Sequence, residues 1–280
     1  MTNVTKQFPL VRVFGTLGWI IAGLVIGFLN WEKEGVLQNT FLMTAIASAI
    51  LGVKSFTLPD TPPTHKTNEK KSIGQILGLD SLSLLKDKSY LVFFITSILI
   101  CIPLKFYYNF TNQYFNEIGM EKAASVMSLG QFSELILMLV LPFFLIRLGL
   151  KKTLIFGMIA WALRYVLFSY GNVDEGFWML IVGVLLHGIC YDFFFVAGQI
   201  YTDEKAGEEV KTSAQGLITL ATYGLGMFIG SYLSGIIVDK FAENGGHDWT
   251  SIWHYPAGMA VVIMILFIFT FKDEKLESVK

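Results

Sequence analysis

Four apolar stretches of this chain each carry side chains able to bind a polar ligand or hold a proton. Lys105, Asn109, Asn112 and Gln113 lie in "PLKFYYNFTNQYF", Gln131 and Glu134 in "SLGQFSELILM", Arg164 in "WALRYVLF", and His187, Tyr191 and Asp192 in "HGICYDFFFVAG". Amides read the edges of a hydrogen-bonding ligand. Carboxylates and imidazole hold protons, and Lys and Arg neutralise buried carboxylates. An Asp, Lys or Arg at the centre of a membrane helix costs about 2.5–3.5 kcal/mol on insertion scales, so such residues face a bundle interior or a wet cavity. Asn109 and Asn112 are i,i+3 and share a helix face, which Gln113 joins at i,i+4 from Asn109. Gln131 and Glu134 repeat the i,i+3 spacing, and His187 and Tyr191 are i,i+4. Asp192 points about 140° away from His187, so its helix presents a ligand-facing side and a separate buried side. Glu134 and Asp192 are candidate proton carriers, or partners for Arg164 and Lys105. Spacing does not choose among these pairs.

Aromatic residues make up 15% of the chain, and Phe106, Tyr107, Tyr108, Tyr114 and Phe115 crowd the amides. Rings that stack beside amides that read an edge suit a planar, hydrogen-bonding ligand. The plainer reading is that polar residues only tie helix to helix, at about 0.6 kcal/mol each. On that reading other aromatics, such as Trp31, Trp249 and Trp253, face lipid or its interface. Four consecutive stretches carrying polar groups near mid-depth favour the wet cavity. Gly226 and Gly230 form a GxxxG, with Ser231 and Gly235 repeating the spacing, which suits close helix packing. No G-x-S-x-G, H-E-x-x-H or P-loop is present, so an enzyme is not expected. Cys101 and Cys190 make no CxxC, and the isolated pair of His187 and Cys190 falls short of the four ligands zinc wants. No metal or cofactor is expected. A net charge of −1 without a basic patch argues against nucleic acid.

The elements that hold these residues follow from composition. Of 280 residues, 54% are hydrophobic and 15% charged, against about 25% charged in soluble domains, so lipid is the expected solvent. Eight apolar stretches approach the ~20 residues that span a bilayer: roughly 10–30, 38–57, 90–116, 123–146, 152–171, 177–202, 212–239 and 251–272. With the amino terminus in the cytoplasm, sixteen Lys and Arg fall inside and only Lys33, Lys122 and Lys240 outside, while Lys105 and Arg164 fall within spans. Both termini are therefore expected in the cytoplasm. Residues 58–88 divide two spans from six. Their Pro, Thr and Lys content suits a solvated linker, and Ile73, Ile76, Leu77, Leu82 and Leu85 suit an amphipathic helix on the membrane surface.

The ordered segments "RVFGTLGWI", "FTNQYF", "SLGQFSELILM", "FGMIAWALRYVLFSYG", "HGICYDFFFVAGQIY", "SAQGL" and "DWTSIWHYPAG" resemble the nucleoside:proton symporter family of the major facilitator superfamily. The resemblance covers nearly the whole chain apart from 58–75. It implies an all-α integral membrane protein, a major facilitator-type bundle whose eight transmembrane helices correspond to helices five to twelve of twelve. Residues 1–57 would be the last two helices of the N-terminal bundle, 58–88 the cytoplasmic central loop, and 89–280 the C-terminal six-helix bundle. The first four helices would be missing, expected upstream, and the isolated chain would not be expected to transport.

The resemblance further implies a proton-coupled nucleoside permease of the bacterial inner membrane, driven by the proton gradient. Arg12, Thr16 and Trp19, one face of the first helix, would bind nucleoside with Asn109, Asn112, Gln131, Glu134, His187 and Tyr191. Asn109 stands where the family carries glutamine, and His187 and Tyr191 where it carries Tyr and Phe, which makes this pocket more polar. Glu134 and Asp192 would serve proton coupling or, with Arg164 and Lys105, buried ion pairs. A symporter for another polar metabolite, such as a sugar, is the alternative, followed by a non-transporting fragment.

Overall fold

The computed structural model of the chain describes residues 4–60, 74, 78–243 and 245–272, with the backbone alone for 4–12 and 209. Long helices run through it in chain order: α1 (Val4–Phe28), α2 (Asn39–Ser55) and α3 (Lys88–Glu117). The next, Ala123–Tyr170, is two limbs, because Gly149 takes φ 75° and ψ 171°. A side chain is strained at that φ, so glycine turns the chain between α4 (123–148) and α5 (150–170). Gly207, at φ 65° and ψ 176°, does the same between α6 (Phe177–Glu208) and α7 (Val210–Lys240). A two-stranded antiparallel hairpin, β1 (Ala242–Glu243) and β2 (Gly246–His247), leads into α8 (Trp249–Thr270). Each expected apolar stretch thus carries a helix. Among the described residues five helices are long and apolar enough to cross a membrane, counting Ala123–Tyr170 once. Helix α2 has 17 residues and buries none of them.

Ile73, Ile76 and Leu77 of the expected surface helix lie outside the described residues. Leu82 and Leu85 fall in a 3-10 turn, Leu79–Lys86, in which Leu84 and Leu85 pack on the core while Leu79 and Leu82 are exposed. Asp87 ends this turn and caps α3, accepting from the Tyr90 amide at 2.9 Å. It also pairs with Lys205 of α6 at 3.0 Å. Lys151, at the start of α5, donates to the carbonyls of Ile268 and Phe271 at the end of α8. A cation on those terminal carbonyls satisfies acceptors that have no partner within the helix. These contacts tie the start of α3 to the end of α6, and the start of α5 to the end of α8.

The core is an aromatic cluster. Tyr165 stacks on Trp253 at 5.7 Å and 10°. Tyr114 packs against Trp249 and Trp253, and its hydroxyl donates to the Phe168 carbonyl at 2.7 Å. Trp249 and Trp253 are buried, which corrects their expected lipid-facing placement. They lie one turn apart on the face of α8 that meets α3 and α5, and ring packing outweighs any interfacial preference there.

Candidate functional site

A cavity of about 650 Å³ lies among α1, α3, α4, α6 and α7. Its volume lies in the range of small-molecule binding sites. Thr16 and Trp19 line it from α1, Lys105 and Tyr108 from α3, and Met127, Gln131 and Glu134 from α4. Helix α6 supplies His187 and Tyr191, and α7 supplies Tyr223 and Met227.

Glycines set the crossing of α4 with α6. A Cβ on Gly188 would stand 2.6 Å from the Ser133 carbonyl carbon and 2.7 Å from the Glu134 amide nitrogen. One on Gly130 would meet the His187 Cβ at 3.0 Å. With glycine at both places the two backbones come close enough to set His187 beside Glu134, Nε2 to Oε2 3.7 Å. Both side chains are buried. Thr16 donates its hydroxyl to Glu134 Oε1 at 3.3 Å, so the carboxylate also links α1 to α4. His187 stacks on Tyr107 at 5.2 Å and 20°, and the Arg164 guanidinium lies 4.2 Å from the centre of that same ring. Arg164 is fully buried behind the cavity, its Nε donating to the Gly183 carbonyl at 3.0 Å. Carboxylate, imidazole, phenol and guanidinium thus form one run from the cavity wall into the bundle.

The hydroxyls of Tyr191 and Tyr223 are hydrogen-bonded to each other, joining α6 to α7 across the cavity wall. A π-helical segment, Leu220–Gly226, carries Tyr223, and a second one, Asp192–Val196, begins at Asp192. Asp192 is fully buried and does not line the cavity.

Other expected ligand residues stand elsewhere. Asn109 is exposed, outside the cavity, and donates to Ser231 of α7 at 3.1 Å. Asn112 donates at 2.7 Å to Glu32, in the connection between α1 and α2. The side chain of Arg12 lies outside the described residues. Tyr223, Met227 and Met127 had gone unread in the sequence. Met127 precedes the expected Gln131 by four residues, so helical spacing points to it; Tyr223 and Met227 are four apart on α7, where the sequence marked no ligand residue from which to count.

Past the cavity, α1 and α4 close on each other. A Cβ on Gly23 would stand 2.0 Å from Ser128 Oγ, and one on Gly27 1.8 Å from Ser125 Oγ. Beyond this contact Glu32 accepts from Asn112 and from the Ala124 amide, at 3.1 and 3.3 Å, at the start of α4. A carboxylate there also suits the positive end of the helix dipole.

Long apolar helices around a polar, aromatic cavity define an all-α membrane transporter of the major facilitator type. The family described as "Nucleoside H+ symporter" matches residues 1–276, and the chain belongs to it. The provisionally named nucleoside transporter YegT of Escherichia coli (strain K12) is 45% identical over 292 residues, covering 99% of this chain and 68% of YegT. The nucleoside permease NupG of the same organism is 31% identical, covering 96% of this chain and 66% of NupG. Xanthosine permease, also from that organism, is 31% identical over 95% of this chain and 65% of its own length. The crystal structure of a NupG point mutant superposes with a TM-score of 0.83 at 31% identity, over 96% of this chain and 69% of that one. The chain therefore spans about two thirds of the length of these relatives.

Proposed function

We propose that this chain forms part of a proton-coupled nucleoside permease that works by alternating access at the cavity described above. The observation that carries this reading is Glu134. A carboxylate near the middle of apolar helices faces an aromatic-walled cavity and is held by Thr16 of α1 and His187 of α6. Such a group accepts the hydroxyls of a ribose and can carry a proton as access changes. Gln131 and Tyr191 offer further hydrogen bonds, and Trp19, Tyr108 and Tyr223 offer faces for a planar base. Arg12 joins them by resemblance. The ligand contacts that the resemblance implies for Asn109 and Asn112 require both to turn from Ser231 and Glu32. Buried Asp192 is the second proton-carrier candidate. No catalytic role is assigned to any residue, and the driving force is the proton gradient rather than a cofactor.

The protein belongs in the inner membrane with both termini cytoplasmic. Residues 29–38 then lie outside, and the α1–α4 contact closes the cavity on that side. The test is uptake of labelled uridine by cells lacking their own nucleoside transport and expressing the longest reading frame that contains this chain. Uptake is expected to collapse with an uncoupler. Glu134→Gln should lower it by at least about tenfold, roughly 1.4 kcal/mol, with the protein still in the membrane. Unchanged uptake in that variant would remove Glu134 from the site. A competition panel of nucleosides against sugars separates the alternative substrate class.

A further inference from the structure

Lys105 brings a second charge into the cavity, and the transport reading above does not use it. It sits on α3 three residues before Tyr108, and both line the cavity. The close approach of α7 fixes its stem, since a Cβ on Gly230 would stand 2.9 Å from the Lys105 Cβ. Among the described residues Lys105 makes no ion pair and no hydrogen bond. The buried cation Arg164 differs, because its Nε is bonded and its guanidinium rests on the Tyr107 ring. The cavity carboxylate, Glu134, is engaged by Thr16 and His187 instead. A lysine within membrane helices is costly unless an anion or water answers it. Moving an anionic ligand through a low-dielectric protein is costly for the same reason, and one cation in the cavity wall offsets both.

We infer that Lys105 is a specificity-determining residue, selecting nucleosides whose base is anionic near neutral pH over those whose base is neutral. This rests on the nucleoside reading above. A 2,6-dioxopurine base, which gives up a ring N–H proton near neutral pH, fits the description. Its anionic ring would meet the Lys105 ammonium between the faces of Tyr108 and Tyr223. The ribose hydroxyls would then donate to Glu134, an acceptor that suits them and would repel the base. The two charges of the cavity thereby fix the direction in which the ligand lies.

Xanthosine and inosine make a suitable pair of probes, differing by one exocyclic carbonyl oxygen on the base and by the acidity it brings. Each is titrated as a competitor of labelled uridine uptake at neutral pH, using the longest reading frame that contains this chain. Xanthosine should compete at least about tenfold better than inosine, a difference of roughly 1.4 kcal/mol. Lys105→Gln should abolish that difference by weakening xanthosine competition, while Lys105→Arg keeps the preference. Lys105→Met, which keeps the apolar stem, replaces the glutamine variant if that protein fails to reach the membrane. Equal competition by the two probes in the unmodified protein overturns the inference, as does a preference that survives in Lys105→Gln or Lys105→Met. Uptake of uridine alongside either result leaves the transport reading standing. Absence of uptake of every nucleoside by the unmodified protein, shown to be in the membrane, overturns both.

Discussion

Helices α1 and α4 meet in two different ways along one seam. At Gly23 and Gly27 they touch through small residues, and a methyl group there would displace the Oγ atoms of Ser128 and Ser125 and crowd the atoms behind them. Two turns nearer the amino terminus, a Cβ on Gly15 or Gly18 would meet nothing within 4 Å. There the helices are joined across a cavity by the long side chain of Glu134 reaching Thr16. The same helix pair is thus close-packed at one end and open and side-chain-bridged at the other. Contact between small residues gives close van der Waals packing with little side-chain order to lose, which suits a point that holds or pivots. Long polar side chains can exchange one partner for another, which suits a site that takes up and releases ligand.

The largest effect should come from filling the close end. Gly23→Ala with Gly27→Ala displaces the Oγ atoms of Ser128 and Ser125 and crowds the α1–α4 contact, and should cost about 2 kcal/mol, seen as a lower thermal unfolding midpoint of the detergent-purified protein. Gly18→Ala should have the opposite sign, gaining about 1 kcal/mol from helix propensity alone. Shifts of equal sign and size at both ends would break the comparison. Next in size is Glu32→Ala, which strips Asn112 and the Ala124 amide of their acceptor and should cost about 1–2 kcal/mol in the same assay. Thr16→Val, at the open end, loses one 3.3 Å hydrogen bond and should cost less.

The smallest effect gives a baseline away from the seam. The Tyr90 backbone amide holds the Asp87 carboxyl below its ordinary value of 3.8 against an opposing push from burial, with further help from Lys205. Its folded pKa is the lower one, so its stabilisation is complete above 3.8 and is lost as pH falls from there through the folded value. Unfolding midpoints measured between neutral and acid pH should fall less steeply in Asp87→Asn than in the unmodified protein. The glycine variants of the seam should keep the unmodified slope.

The close end was legible and went unread. Gly23 and Gly27 stand four apart in "IAGLVIGF", the same small-x3-small spacing that was noticed at Gly226 and Gly230. Ser125 and Ser128, which receive them, are ordinary helix residues, and their fit depends on a partner 100 residues away in the chain. Glu32 lies between spans, where a carboxylate reads as solvated, and only the fold brings it to Asn112. Asn109 and Asn112 share a face as their spacing required, yet that spacing cannot say what the face meets. Helix positions were legible throughout, because apolar length is a local property. The pairing of His187 with Glu134 was not, since it depends on how closely Gly130 and Gly188 let two helices approach.

The π-helical segment Asp192–Val196 has a consequence for how the gene tolerates length changes. A π turn accommodates one residue more than an α turn while the helix on either side keeps its direction. Deleting one residue within 192–196 should convert the segment to ordinary helix and leave His187 and Gln199 in phase with their neighbours. Deleting one residue elsewhere in α6 turns everything beyond it by about 100° and takes the buried face out of register. The segment therefore marks the place in this helix where a codon can be lost while the packing on both sides survives.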